Sequence, residues 1–94
     1  MIRLEMCGRL TTDVKVMSAG QVVKIVLAVK ENKDKVSFHE LTAFGKNAIN
    51  LAKYAKKGQM ILVDNATIEN NKYVNNDGKT VYTKDLIIKT FKFL

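Results

Sequence analysis

Apolar and polar positions alternate along most of this chain. Ile2, Leu4, Met6, Gly8 and Leu10 alternate with Arg3, Glu5, Cys7 and Arg9, the period-2 pattern of a half-buried strand. Val23, Ile25, Leu27 and Val29 form the buried face of a second strand, with Lys24 and Lys30 opposite. Ser18-Ala19-Gly20 marks a turn between these strands, and Glu31 to Lys35 is a charged connection to a third strand, about Val36–Phe44. In that third strand Phe38, Glu40, Thr42 and Phe44 share one face, and His39, Leu41 and Ala43 share the other. A fourth strand starts near Gln59. Its apolar residues change phase, since Ile61 and Val63 sit at odd positions and Ile68 at an even one. A β-bulge near Asp64-Asn65 accounts for the change; a loop break there is the alternative. A fifth strand covers about Thr83–Phe93.

One segment carries the helical period. Apolar residues recur at Ala48, Leu51, Ala52 and Ala55, the i, i+3, i+4, i+7 stripe of a helix over Lys46–Lys57. Lys56 and Lys57 fall in its last turn, where they suit the helix dipole, and Gly58 follows as the C′ residue. Asn75-Asn76-Asp77-Gly78 signals a hairpin, because Asp-Gly fits a type I′ turn. With Asp77 and Gly78 as the two loop residues, Tyr73 pairs with Tyr82. That register places both tyrosines on one face with Asn71, Asn75, Thr80 and Lys84, and places Lys72 and Lys79 on the other with Val74 and Val81.

Ninety-four residues make a single domain, 1–94, with a modest core. Charge changes the picture more than size does. Sixteen basic residues face nine acids, a formal charge of +7, and every base except Arg3 and Arg9 is a lysine. Such a balance points to a polyanion, either nucleic acid or an anionic membrane, with a solubilising surface as the plainer alternative. Lysine acts as a mobile point charge, whereas arginine supplies the fork that reads guanine, so the balance favours neutralisation of a phosphate backbone without sequence readout. Phe38 and Phe44, on a partly polar face of such a chain, suit stacking on bases. The alternative places them in the core or a subunit contact.

Cys7 is the single cysteine and reads as a small core or interface residue, in a reducing compartment. The first residues lack an apolar signal core, no run approaches transmembrane length, and His39 has no cysteine or histidine partner for zinc. The expectation is a cytoplasmic protein without cofactor or membrane contact. Metal-assisted phosphodiester cleavage needs clustered carboxylates; the acids here are scattered, with Asp13, Asp34, Asp64 and Asp77 at turn or bulge positions, so the chain does not read as an enzyme.

Five strands with a helix between the third and fourth is the order of a five-stranded OB-fold Greek-key barrel, an all-β class with one helix. Over nearly its whole length the chain resembles the bacterial and phage single-stranded DNA-binding protein family. The resemblance rests on Gly8-Arg9-Leu10-Thr11 with Asp13, on Leu27-Ala28-Val29, on Phe38-His39 and Phe44-Gly45-Lys46, on Lys56-Lys57-Gly58, and on Asp77-Gly78 with Tyr82-Thr83. It implies sequence-tolerant binding of single-stranded DNA in replication, recombination or repair. Phe38, Phe44 and Tyr73 match base-stacking positions, and Lys46, Lys57 and Lys72 match basic positions near the DNA path. Lys30, Lys33, Lys35 and Lys84 complete the candidate set on the same strands and loops. The family usually assembles as homotetramers, which makes Cys7 and His39 interface candidates.

The departures from the family are specific. The strand 2–3 loop is short and carries Lys33 where an aromatic is expected. Glu40 and Glu69-Asn70-Asn71 stand in place of neutral or more basic residues. Together they imply weaker binding or a smaller footprint. The sequence ends at Leu94 without the family's acidic-tipped tail, which reads as a tail-less accessory member from a phage or mobile element, or as a primosomal relative. A primosome-like or recombination adaptor, acting mainly through contacts with replication or recombination proteins, is the competing function.

Overall fold

The computed structural model describes residues 2–94, and Met1 lies outside them. Six strands and one α-helix follow in the order β1 (Leu4–Leu10), β2 (Lys15–Met17), β3 (Val22–Asn32), β4 (Lys35–Phe44), α1 (Gly45–Tyr54), β5 (Met60–Val74) and β6 (Thr80–Phe93). A 3-10 turn at Ser18–Gly20 joins β2 to β3, at the turn expected from the sequence.

Five of the strands close a barrel. β1 pairs with β5, β5 with β6, β6 with β4, and β4 with β3. Arg9–Ala28 and Leu10–Leu27 then join β1 back to β3. The β4–β6 contact is parallel, at Leu41–Leu86 and Thr42–Ile87, and the others are antiparallel. The helix sits between the third and fourth barrel strands, so the architecture is that of the OB-fold. The three-residue β2, absent from the sequence reading, pairs with β3 through Lys15–Lys24, Val16–Val23 and Met17–Val22.

Closure depends on Gly8. Its neighbours Met6 and Leu10 turn the even face of β1 inward, and a Cβ at Gly8 would lie 2.8 Å from the Ala28 carbonyl oxygen and 3.1 Å from the Leu27 Cβ. Only a residue without a side chain lets β1 approach β3 this closely. The core behind it comprises Leu10, Val23, Ile25, Leu27, Leu41, Ala43, Ile61, Val63, Ala66 and Ile88, with Ala48 and Leu51 of α1 set against them. Asn47 fastens the helix to β6 by donating its amide to the carbonyls of Ile88 (3.3 Å) and Lys89 (3.0 Å).

The change of phase in β5 is a bulge. The β5–β6 register shifts on both sides of Asn65, between Val63–Phe91 and Ala66–Ile88, and the strand continues through it. Asp64 accepts a 2.5 Å hydrogen bond from the Thr90 hydroxyl at this point.

Two sequence expectations need correction. The helix ends at Tyr54, not Lys57, because Ala55 adopts an extended backbone (φ −75°, ψ 135°). Lys53, not Lys56 or Lys57, therefore occupies the last turn, and Ala52 is exposed. Gly58 is not the C′ residue. It takes φ +89° inside a separate turn closed by the Gln59 amide on the Lys56 carbonyl (3.0 Å).

The hairpin also differs by one residue. Its loop holds three residues, Asn76-Asp77-Gly78, not two. The Gly78 amide donates to the Asn75 carbonyl (3.0 Å), the Asn75 amide to the Lys79 carbonyl (2.9 Å), and Gly78 takes φ +78°. This is a turn followed by a left-handed glycine, the commonest three-residue solution. The Asn75 side-chain oxygen stabilises it by accepting from the amides of Asp77 and Lys79, each at 3.0 Å. Tyr73 consequently faces Val81, and Tyr82 faces Lys72.

Candidate nucleic-acid interface

The outer surface of the barrel is built by the even residues of β3 and β4. Across the pair, Lys24 meets Thr42, Val26 meets Glu40, Ala28 meets Phe38 and Lys30 meets Val36. Directly opposed side chains share a face, so Phe38 rises between Glu40 and Val36 with Lys30 diagonal to it. Phe38 is 67 % exposed. A ring that projects this far contributes little to the core, and alternation leaves it no inward position.

Phe44 is 49 % exposed and lies at the far end of the same strand, about 20 Å from Phe38 at the rise of a β-strand. It is the residue before α1, and Lys46 in the first turn of the helix is exposed beside it. The face between the two rings is not uniformly open. Thr42, expected on a polar surface, is only 7 % exposed, paired with Lys24 on one side and Ile87 on the other. Phe38 and Phe44 are thus two separate platforms.

Glu40 is the acid closest along the strand to Phe38, and Lys24 pairs with it at 3.5 Å. Lys35 pairs with Glu31 at 3.2 Å. Both pairs lie at the surface, with Lys24 half-buried, and are worth at most about 1 kcal/mol, so either lysine can exchange its carboxylate for another anion. Lys30 and Lys33 are exposed, and Lys33 lies in the two-residue turn between β3 and β4, where the Asn32 side chain accepts from the Asp34 amide (2.9 Å). Lys57 lies in the turn after α1, and Gly58 ties that turn to β1. The Gly58 amide donates to the Leu10 carbonyl (2.8 Å), and Arg9 Nη1 donates to the Gly58 carbonyl (2.6 Å).

Arg9 is a basic residue that the sequence reading passed over. With Cys7, Ala28, Lys30, Val36 and Met60 it lines a depression of about 460 Å³ where β1 meets β3. The signal was present, since Arg9 holds an outward odd position on the first strand. Cys7 is exposed here, so it is not a core residue. His39 is half-buried, opposite Leu27, and its Nε2 lies 2.8 Å from the Ser37 hydroxyl.

Tyr73, Lys72 and Lys84 lie on the β5–β6 hairpin. The observed register separates Tyr73 from Lys84 and places Lys84 with Lys72 and Tyr82. Tyr73 is 54 % exposed. Of the seven aromatic residues, Phe91 and Phe93 pack edge-to-face on each other, their ring centroids 5.3 Å apart, beside the core, and the other five are exposed. Among the described residues no three metal-ligating side chains cluster, and no helix is long and apolar enough to cross a membrane.

A barrel of this topology bearing exposed aromatics and lysines matches one family model, the single-strand binding protein family, over residues 1–94. The chain belongs to that family. A single-stranded DNA-binding protein of Clostridium perfringens is 33 % identical over 100 aligned positions, covering all of this chain and 66 % of the relative. The single-stranded DNA-binding protein 1 of Streptococcus pyogenes is 32 % identical, over 93 % of this chain and 73 % of its own length. The chain therefore spans about two thirds of such relatives. Among solved structures, the Saccharomyces cerevisiae mitochondrial single-stranded DNA binding protein Rim1 superposes with a TM-score of 0.73 at 22 % identity, covering 99 % of this chain and 94 % of Rim1. The Plasmodium falciparum SSB in its complex with single-stranded DNA superposes with a TM-score of 0.75 at 18 % identity, covering 100 % of this chain and 95 % of that one. At these identities the two structures establish the shared fold.

Proposed function

We propose that this domain binds single-stranded DNA without sequence preference and without catalysis, serving replication, recombination or repair. The observation that carries the reading is Phe38, a ring two-thirds exposed on the outer strand face, with Lys30 diagonal to it and Lys24 two residue pairs away. Every base has a π-face, so stacking is tolerant of sequence, and lysines that track the backbone add affinity without readout. Phe44 with Lys46 forms a second platform, and Tyr73 a third on the hairpin. Lys33, Lys35 and Lys57 supply further positive charge around the barrel, and Lys72 and Lys84 along the hairpin. Family membership and the names of the relatives support the same ligand.

The family resemblance also supports a homotetramer acting in the cytoplasm on the nucleoid or on phage DNA. Cys7, exposed on β1 beside the apolar walls formed by Val36 and Met60, suits a subunit contact. His39 is less available, because its ring is half-buried and engaged with Ser37.

Fluorescence anisotropy with oligo-dT, oligo-U and duplex DNA tests the reading. The expected result is preference for oligo-dT over duplex. If about four phosphates are neutralised per subunit, log K falls with log salt at a slope of roughly −3. Equal binding of duplex, or a slope near zero, overturns it.

A further inference from the structure

Arg9 stands in one row with the ring that carries the proposed function. Met60, Arg9, Ala28 and Phe38 are directly opposed in turn across β5, β1, β3 and β4. Opposed side chains share a face, so Arg9 and Phe38 both belong to the outer surface, with only the methyl group of Ala28 between them. Two strand spacings place the Arg9 backbone about 10 Å from that of Phe38. The Arg9 guanidinium is engaged elsewhere. Its Nη1 donates to the Gly58 carbonyl at 2.6 Å, in the turn that leads into β5. β5 flanks β1 on the side away from β3, so the side chain is committed away from Phe38.

That turn presents Lys57. The Leu10 amide donates to the Gln59 carbonyl (2.8 Å), the Gly58 amide to the Leu10 carbonyl (2.8 Å), and the Gln59 amide closes the turn on the Lys56 carbonyl (3.0 Å). Gly58 sits at the centre with φ +89°, a conformation left to glycine, and glycine has the most freedom to lose on ordering. β1 holds both of its polar groups, the amide through Leu10 and the carbonyl through Arg9. The peptide planes on either side of Gly58 are thereby fixed, and with them the direction in which the exposed Lys57 leaves the surface. The partner of Arg9 is a neutral carbonyl, and neither ion pair of the barrel involves Arg9 or Lys57. The hydrogen bond therefore orients the turn without cancelling its charge.

We propose that Arg9 is a positioning residue, which holds the Lys56–Gln59 turn so that Lys57 meets a phosphate of a strand stacked on Phe38. The proposal rests on the function proposed above and adds to it a residue that acts through Lys57, not on the ligand. A lysine on a flexible stem loses entropy when it binds. A turn fixed from β1 removes the backbone share of that cost before the ligand arrives.

The test is a double-mutant cycle of Arg9→Met and Lys57→Gln, read by anisotropy with oligo-dT at several salt concentrations. Lys57→Gln is expected to flatten the salt slope by about 0.7, the increment for one phosphate, and to lower affinity roughly 5-fold in about 0.1 M salt. Arg9→Met is expected to lower affinity by no more than that, because the lysine remains but is no longer held. It is also expected to shift the amide resonances of Lys57 and Gly58 and to leave the Tm close to that of the parent. In the double variant Arg9→Met is expected to add nothing, so that affinity and slope equal those of Lys57→Gln alone. A further loss in the double variant, with the slope flattened by about 1.4 in all, overturns the proposal by making Arg9 a phosphate contact in its own right. A collapsed Tm or a changed mass in light scattering for Arg9→Met overturns it by making Arg9 a strap of the barrel or a subunit contact. Parent-like binding by Arg9→Met or by Lys57→Gln overturns this proposal alone and leaves the Phe38 surface standing. Failure of the parent to bind oligo-dT overturns the function as well.

Discussion

Gly8 and Ala28 meet at the seam of the barrel, where a Cβ on Gly8 would lie 2.8 Å from the Ala28 carbonyl oxygen. The obstacle is backbone, which cannot swing aside as a side-chain end can. Gly8→Ala must therefore push β1 away from β3, where Arg9–Ala28 and Leu10–Leu27 complete the barrel. Overpacking of this kind costs about 1–3 kcal/mol. Thermal denaturation should show a Tm lowered by roughly 4–8 °C for each kcal/mol. An unchanged Tm would mean that the seam is loose.

Stability and binding should separate between the two faces of the β3–β4 pair. Leu27 is fully buried and Phe38 is two-thirds exposed. Leu27→Ala should cost about 2–5 kcal/mol of stability. Phe38→Ala should weaken single-strand binding roughly 5- to 150-fold by loss of stacking, with a Tm close to the parent. If Phe38→Ala instead unfolds the domain or dissociates its oligomer, the ring is structural and the adaptor function takes precedence.

The sequence was most legible where one face of a strand is buried without interruption. Val23, Ile25 and Leu27 on β3 and Leu41 and Ala43 on β4 announce both strands and their inward faces, and the single change of phase between Val63 and Ile68 announces the bulge. Period-2 patterning cannot fix hairpin register when the ribbon leaves the core, because neither face is then buried. Asn75-Asn76-Asp77-Gly78 accommodates a two-residue or a three-residue loop, and the choice moves Tyr82 to the other face. The extra hydrogen bonds that Asn75 accepts from Asp77 and Lys79 accompany the longer loop. Lys56-Lys57-Gly58 imitates a helix C-terminus for a similar reason: its composition suits the helix end and the following turn alike. Thr42 and Arg9 were missed because what surrounds them comes from strands distant in sequence, β6 in one case and the Gly58 turn in the other.

Glu40 should restrain binding. It stands two residues from Phe38 on the same face and occupies Lys24 at 3.5 Å. Glu40→Gln removes a charge that repels phosphate and releases Lys24 toward the ligand. The expected outcome is tighter binding of oligo-dT and a salt slope steeper by about 0.7, the increment for one additional phosphate. Stability should change by less than about 0.5 kcal/mol, as for other exposed positions. Weaker binding by Glu40→Gln would show that Lys24 and Glu40 position Phe38 as a unit.

Acid should act on the fold through Asp64. The hydroxyl of Thr90 donates to its carboxylate at the β5 bulge, and this hydrogen bond is the main reason that the Asp64 pKa is lowered, with Lys92 and Arg3 contributing by charge. A carboxyl whose pKa is lower folded than unfolded binds its proton more readily in the unfolded chain. Its stabilising contribution is complete above the ordinary aspartate value of about 3.9 and is lost as pH falls through the lower folded value. Asp64→Asn retains an oxygen for Thr90 and cannot titrate. Between pH 6 and pH 3 the Tm of the parent should therefore fall further than that of Asp64→Asn, so that the gap between them narrows in acid. Parallel curves would show that Asp64 titrates alike in the folded and unfolded chains.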